Sequence, residues 1–253
     1  MTSKKEIQYY SSLFSKKHRQ TENKFIVEGK KSVLEGLNSS YECEIVFATN
    51  KFNEENEDTI LQITNEKKRI ETLKQKDFQK ISDTESPQGI AAVFHKPKLN
   101  FSHTSFKEDK IVVMLDNISD PGNLGTIIRN CDWFGVKNIL LSENIVDYTN
   151  PKVVRASMGS VFHVKIFENV MINNLVDLKE SGFEILCADI EGENVFIYKS
   201  EKKKILILSS ESHGPSNEIE KNIDKKICIP KLGGAESLNV ASASAVLLAL
   251  LTK

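Results

Sequence analysis

The sequence predicts an α/β protein whose C-terminal part is an open, mostly parallel sheet, and three observations predict it. Short apolar runs rich in Ile, Val and Leu at 111–115, 184–188, 205–209 and 227–229 have the length of buried strands. Turn residues follow these runs, and segments of helical period lie between them, the alternation that builds parallel sheets. The last segment, 240–251, is almost wholly Ala, Ser, Val and Leu and reads as a helix that must be buried.

Ahead of that part, residues 5–95 alternate helix-like and strand-like pieces. A polar segment runs through Leu13, a strand fits 24–28, a helix 30–37 and a strand 43–48. A helix fits 60–66, a short strand 68–73, and a strand 88–94 opened by the turn signal Ser86-Pro87. The pattern resembles a small α/β sandwich. Residues 96–109, polar and with Pro97, read as a linker, which gives domains at 1–95 and 110–253.

Beyond the linker the run 111–115 passes into a turn and then a helix at 125–134 carrying Ile127, Ile128, Cys131 and Phe134 at helical spacing, closed by Gly135. A strand returns at 138–141. The final helix follows the turn Gly233-Gly234.

With 253 residues, 40% apolar and 27% charged, the chain has room for two compact cores. The N-terminus lacks the apolar run of a signal peptide, and the longest apolar stretch, 245–251, is far below the roughly 20 residues of a membrane span, so a cytoplasmic location and no membrane partner are expected. Cys43, Cys131, Cys187 and Cys228 are widely separated and the five histidines scattered, so neither a disulfide framework nor a metal site is expected. The net charge of -1 hides an uneven distribution: residues 1–31 hold eight basic side chains against three acidic ones, and an acidic stretch at 54–58 compensates.

Three loops directly follow expected strands, at 116–135, 209–219 and 229–245. In an open α/β sheet the carboxyl ends of the strands are where ligands bind, so these loops should converge. In the first, Pro121 and Gly122 force a turn, Asn123 can cap the helix or contact a ligand, and Arg129 sits about one turn inside it. A routine capped turn with Arg129 on a solvated face is the plain alternative. The second holds Glu211 and Gly214, and the third places Ser237, Leu238 and Asn239 just before the last helix. Ser237 and Asn239 are also good N-cap types, so a structural role for either stands beside a binding one. The chain has neither the GxGxxG of dinucleotide folds nor a GxxxxGK[ST] phosphate loop, and SSESHG lacks the preceding glycine of a hydrolase elbow.

Together the segments DPGNLGTIIRNCDWFG, LILSSESHG and IPKLGGAESLNVASASA resemble the three signature motifs of the SpoU (TrmH-like) branch of the SPOUT RNA methyltransferases. VVRASMGSVFHV at 153–164 resembles a further segment of these enzymes, while KFIVEGKKSVLEGL and SPQGIAAVF resemble their RNA-binding substrate domain. The resemblance implies a trefoil knot in the C-terminal domain, a homodimer with active sites at the subunit interface, and transfer of methyl from S-adenosylmethionine to a ribose 2'-hydroxyl of RNA, ribosomal rather than transfer. It implies cofactor contacts near Ser209, Glu211, Gly214, Ile229, Leu238 and Asn239, and a catalytic set of Arg129, Asn123, Glu211, Ser237 and Asn239. Serines at 209 and 212 stand where many relatives have glycine.

Arginine is ordinarily protonated, so Arg129 is expected to orient phosphate and hydroxyl, acting as base only if substrate strongly perturbs it. Lys4, Lys5, Lys16, Lys17 and Arg19, with Arg155 from the second domain, are expected to meet RNA phosphates, the alternative being a solvated basic face. The competing expectation for the whole chain is an inactive RNA-binding or ribosome-assembly protein that has kept the fold.

Overall fold

The computed structural model describes residues 2–210 and 214–253. The chain forms two compact units, one of residues 1–98 and 147–162, the other of residues 99–146 and 163–253. Each builds its own sheet.

In the first unit, α1 (Lys4–Ser12) and α2 (Lys16–Glu22) lead into β1 (Lys24–Glu28), α3 (Lys30–Leu37) and β2 (Cys43–Thr49). Then come α4 (Asn50–Glu55), α5 (Glu57–Asn65), β3 (Ile70–Leu73), α6 (Gln75–Phe78) and β4 (Ile90–His95). The sheet order is β1-β4-β2-β3, with β4 antiparallel to both its neighbours and β3 parallel to β2. Alternation along the strands sends Ile26, Ile45, Phe47 and Val93 into one core layer with Ile7 and Tyr10 of α1, Leu13 just after it, and Phe78 and Ile81. Phe25 and Phe94 instead meet Tyr41 and Phe162 in an aromatic cluster with centroids 5.0–6.2 Å apart. Gly36 of α3 is required here, because a Cβ would lie 2.5 Å from the Phe94 ring and 2.7 Å from that of Phe162.

Phe162 belongs to the stretch 147–162, which leaves the second unit and returns to it. It forms α8 (Pro151–Ser157), with Asn150 as N-cap and Pro151 in the first turn, packed on β1.

The second unit runs β5 (Ile111–Asp116), α7 (Pro121–Trp133), β6 (Asn138–Leu141), β7 (Lys165–Phe167) and α9 (Ile172–Glu180). It continues through β8 (Phe183–Asn194), β9 (Lys203–Ser209), α10 (Asn217–Glu220), β10 (Lys225–Cys228) and α11 (Val240–Leu251). The order is β10-β8-β9-β5-β6-β7 and every pairing is parallel. Val112, Met114, Ile185, Ile205 and Ile207 pack with Leu175 and Leu178 of α9. The expected linker is in part a piece of this core, since Phe106 is wholly buried in it.

The expected turn at Pro121 and Gly122 is instead the first turn of α7, with Asp120 as N-cap accepting the Asn123 amide at 2.7 Å. Proline fits there because the first helical amides lack intrahelical partners. The helix α11 matches its expected bounds, yet of its residues only Val240, Ala241, Ser244, Leu247 and Leu248 are buried. Among the described residues, no helix is long and apolar enough to cross a membrane and no group of side chains could hold a metal ion. The four cysteines are free, and burial pushes the Cys187 thiol up to about 12, so it offers no thiolate near neutral pH.

Candidate active site

The chain leaves β5 towards β6 on one side and later fills the other side with β9, β8 and β10, so the order reverses between β5 and β9. Such a reversal opens a crevice at the strands' carboxyl ends. The first two candidate loops leave β5 and β9 there, where Asp116 pairs with Ser209, and the third leaves the edge strand β10.

The first and second loops are tied together. Asp116, only 1% exposed, accepts the Ser216 amide at 2.6 Å, and Asn117 donates through Nδ2 to the Gly214 carbonyl at 3.4 Å. The Gly214 amide returns to the Ser210 carbonyl at 2.9 Å, and Gly214 has φ +65°. Glu211, expected in both the catalytic and the cofactor set, lies outside the described residues, as does Ser212.

The first and third loops also meet. Asn239 donates from Nδ2 to Oδ1 of Asn123 at 3.0 Å, while its own Oδ1 caps α11 by accepting the amides of Ala241 and Ser242. Capping and site geometry are therefore one arrangement. Seven residues beyond Asn123, on the same side of α7, Asn130 donates to the Ala241 carbonyl at 2.9 Å and to Ser244 Oγ at 2.8 Å, fixing α11 on α7.

Arg129 lies on another face of α7, exposed in the stripe with Gly122, Thr126 and Trp133, the last 82% exposed. No ion pair or hydrogen bond engages its guanidinium among the described residues. Ser237 and Leu238 are exposed, Ile229 is half-buried, and Ser209 ends β9.

Residues 231–239 are all exposed, Leu232 wholly so, and space is open where a Cβ would stand on Gly214, Gly233 and Gly234. Backbone open to approach at Gly214 and the apolar side chains of Ile229 and Leu238 are the groups these loops offer to a ligand.

Sequence reasoning missed Asp116, Asn117 and Asn130. A lone carboxylate closing the apolar run IVVMLD is the signal that marks Asp116.

The basic residues expected at RNA divide. Lys4, Lys5, Lys16 and Lys17 are exposed. Arg19 corrects the expectation: it is 3% exposed and bonded to Asp147 and to the carbonyls of Leu13 and Phe14, so its guanidinium is enclosed rather than presented to solvent phosphate. Arg155 packs in the first unit, half-buried and held by Asp83 at 2.9 Å.

Residues 110–249 match the SpoU rRNA Methylase family, and residues 4–92 match the MRM3-like substrate binding domain. The chain is 30% identical to the 23S rRNA (guanosine(2553)-2'-O)-methyltransferase RlmP of Bacillus subtilis, over 96% of this chain and 94% of that protein. A TrmH-family putative RNA methyltransferase from Porphyromonas gingivalis has the same fold, with a TM-score of 0.85, 31% identity and coverage of 99% and 98% of the two chains. The SpoU methyltransferase AviRb of Streptomyces viridochromogenes, solved in complex with the cofactor AdoMet, matches in fold with a TM-score of 0.86 at 21% identity, over 97% of this chain and 96% of that one. The chain belongs to the SpoU rRNA methylase family.

Proposed function

We propose that the chain transfers a methyl group from S-adenosylmethionine to a ribose 2'-hydroxyl of ribosomal RNA. The observation that carries this reading is the convergence of three motif loops at the sheet's reversal point in a family member similar along its whole length to a 23S rRNA 2'-O-methyltransferase. S-Adenosylmethionine, when bound, supplies a methyl on a sulfonium, already activated for displacement.

The chain's residues have then to bind, align and help deprotonate the acceptor. Ser209, Glu211 and Gly214 of the second loop and Ile229, Leu238 and Asn239 of the third hold the cofactor. Arg129 orients the phosphate and the hydroxyl with its guanidinium, and Asn123 and Ser237 complete the polar wall. Alignment is the larger task, worth roughly 7 to 11 kcal/mol in favourable cases.

Residues 1–95 act as the RNA-binding domain and 110–253 as the methyltransferase domain, with Lys4, Lys5, Lys16 and Lys17 meeting phosphates. The reading includes a trefoil knot, supported by the packing of α11 against α7 and β9 after the chain has left the edge strand β10. It includes a homodimer, supported by the half-exposed apolar face of α11 and by Trp133. A cytoplasmic location is part of the same reading.

The test is transfer of labelled methyl from S-adenosylmethionine to ribosomal RNA prepared from cells lacking the protein, beside Arg129→Ala. Label at a ribose 2'-oxygen that the variant fails to add, while still binding cofactor, is the expected result. Label on a base, or no label despite cofactor binding, sinks the proposal.

A further inference from the structure

Asp116 is a carboxylate buried at the end of a central strand, and its placement is specific. Oδ2 accepts the Ser216 amide at 2.6 Å and lies 3.5 Å from Asn117 Nδ2, which also reaches the Gly214 carbonyl. Asn117 takes φ +57°, a left-handed conformation that turns the chain directly after the strand. The far end of the second loop is thus anchored at two backbone atoms, Ser216 N and Gly214 O, by consecutive residues of the first loop.

The near end is fixed by the sheet itself, where Ser209 pairs with Asp116. Between these anchors Ser210 and Gly214 close on each other. The ends of the second loop therefore have no independent conformation: β5 sets them from below.

We infer that Asp116 is a positioning residue that, with Asn117, holds the two ends of the second loop, 209–210 and 214–216, in the arrangement that binds the cofactor. The inference rests on the proposed cofactor site and goes beyond it by assigning the shape of that site to a carboxylate that need not touch the cofactor. Without Asp116 the Ser216 amide is a donor lacking its partner, and the loop must reorganise to satisfy it.

The test measures the dissociation constant for S-adenosylmethionine by calorimetry, with kcat and KM for the cofactor, in the full chain and in Asp116→Ala, Asp116→Asn and Asn117→Gly. Asp116→Ala should weaken binding by about tenfold and raise KM with kcat at saturation largely kept. Asp116→Asn retains an acceptor oxygen for Ser216 and should stay within about threefold of the parent chain. A fall in kcat with KM unchanged, the mark of a smaller folded fraction, would overturn the inference, and so would cofactor affinity equal to the parent's. Should Asp116→Ala fail to fold, Asn117→Gly decides: glycine accepts the positive φ, so weaker cofactor binding supports the tether and unchanged binding overturns it. A parent chain that binds no cofactor overturns the proposed function itself, whereas normal binding by parent and variants alike overturns only this inference.

Discussion

Arg19 and Asp147, 128 residues apart in the chain, form a buried ion pair in which both Nε and an Nη of the guanidinium reach Oδ2, at 2.8 and 2.7 Å. Both N–H groups of Nη1 are used as well, on the carbonyls of Leu13 and Phe14. On the other side Oδ1 of Asp147 accepts the amide and hydroxyl of Thr149. The pair therefore joins α2 to the stretch 147–162, which lies within the sequence of the methyltransferase family match yet folds into the first unit.

Removing one partner leaves the other charge buried without compensation, which typically costs about 3–5 kcal/mol, as much as a core truncation. Asp147→Ala and Arg19→Ala should each lose about that much on denaturant unfolding, and the double variant less than the sum. Additive losses would show that the two side chains act separately.

Acid should probe the same pair. Burial pushes the Asp147 carboxyl up, but the bonds from Thr149 and the Arg19 charge outweigh it and hold the group below its ordinary 3.8. A carboxyl depressed in the folded state contributes stability that is complete above the unfolded pKa and lost as pH falls through the folded one. The stability difference between the parent chain and Asp147→Asn should be level from pH about 6 to 5 and shrink below about 4. A difference that stays level down to pH about 2.5 would contradict this.

RNA affinity should separate the basic residues by burial. Replacing the exposed Lys4, Lys5, Lys16 and Lys17 by glutamine should weaken ribosomal RNA binding and flatten its dependence on log salt by about 0.7 to 0.9 for each phosphate no longer neutralised. Arg19→Met, in the fraction that folds, should leave that slope unchanged because Arg19 is enclosed. A slope that falls for Arg19→Met and not for the lysines would reverse the assignment.

The sequence revealed strands and helices where the local signal and the tertiary demand agree: β1, α3, β5 and α11 fall within a residue or so of the expected spans. The stretch 142–183 was nearly silent because α8, β7 and α9 are short and their periods weak; their place depends on what they pack against. Asn239 was legible as either a cap or a site residue, and the structure makes it a cap that also bonds Asn123 of the first loop. Arg19 misled for a physical reason. A basic residue among lysines reads as solvated unless its partner is known, and Asp147 is too distant in sequence to be paired with it by any local pattern. Asp116 escaped notice because a carboxylate at a strand end looks like a turn former until the backbone amide it accepts is seen.

The central claim is methylation of a ribose in ribosomal RNA, and the most direct measurement maps 2'-O-methylation along that RNA in cells with and without the protein. One ribose should lose its methyl and become open to alkaline cleavage when the protein is absent, and should regain it with the parent chain but not with Arg129→Ala. An unchanged set of ribose methyls, or restoration by Arg129→Ala equal to the parent's, would contradict the account.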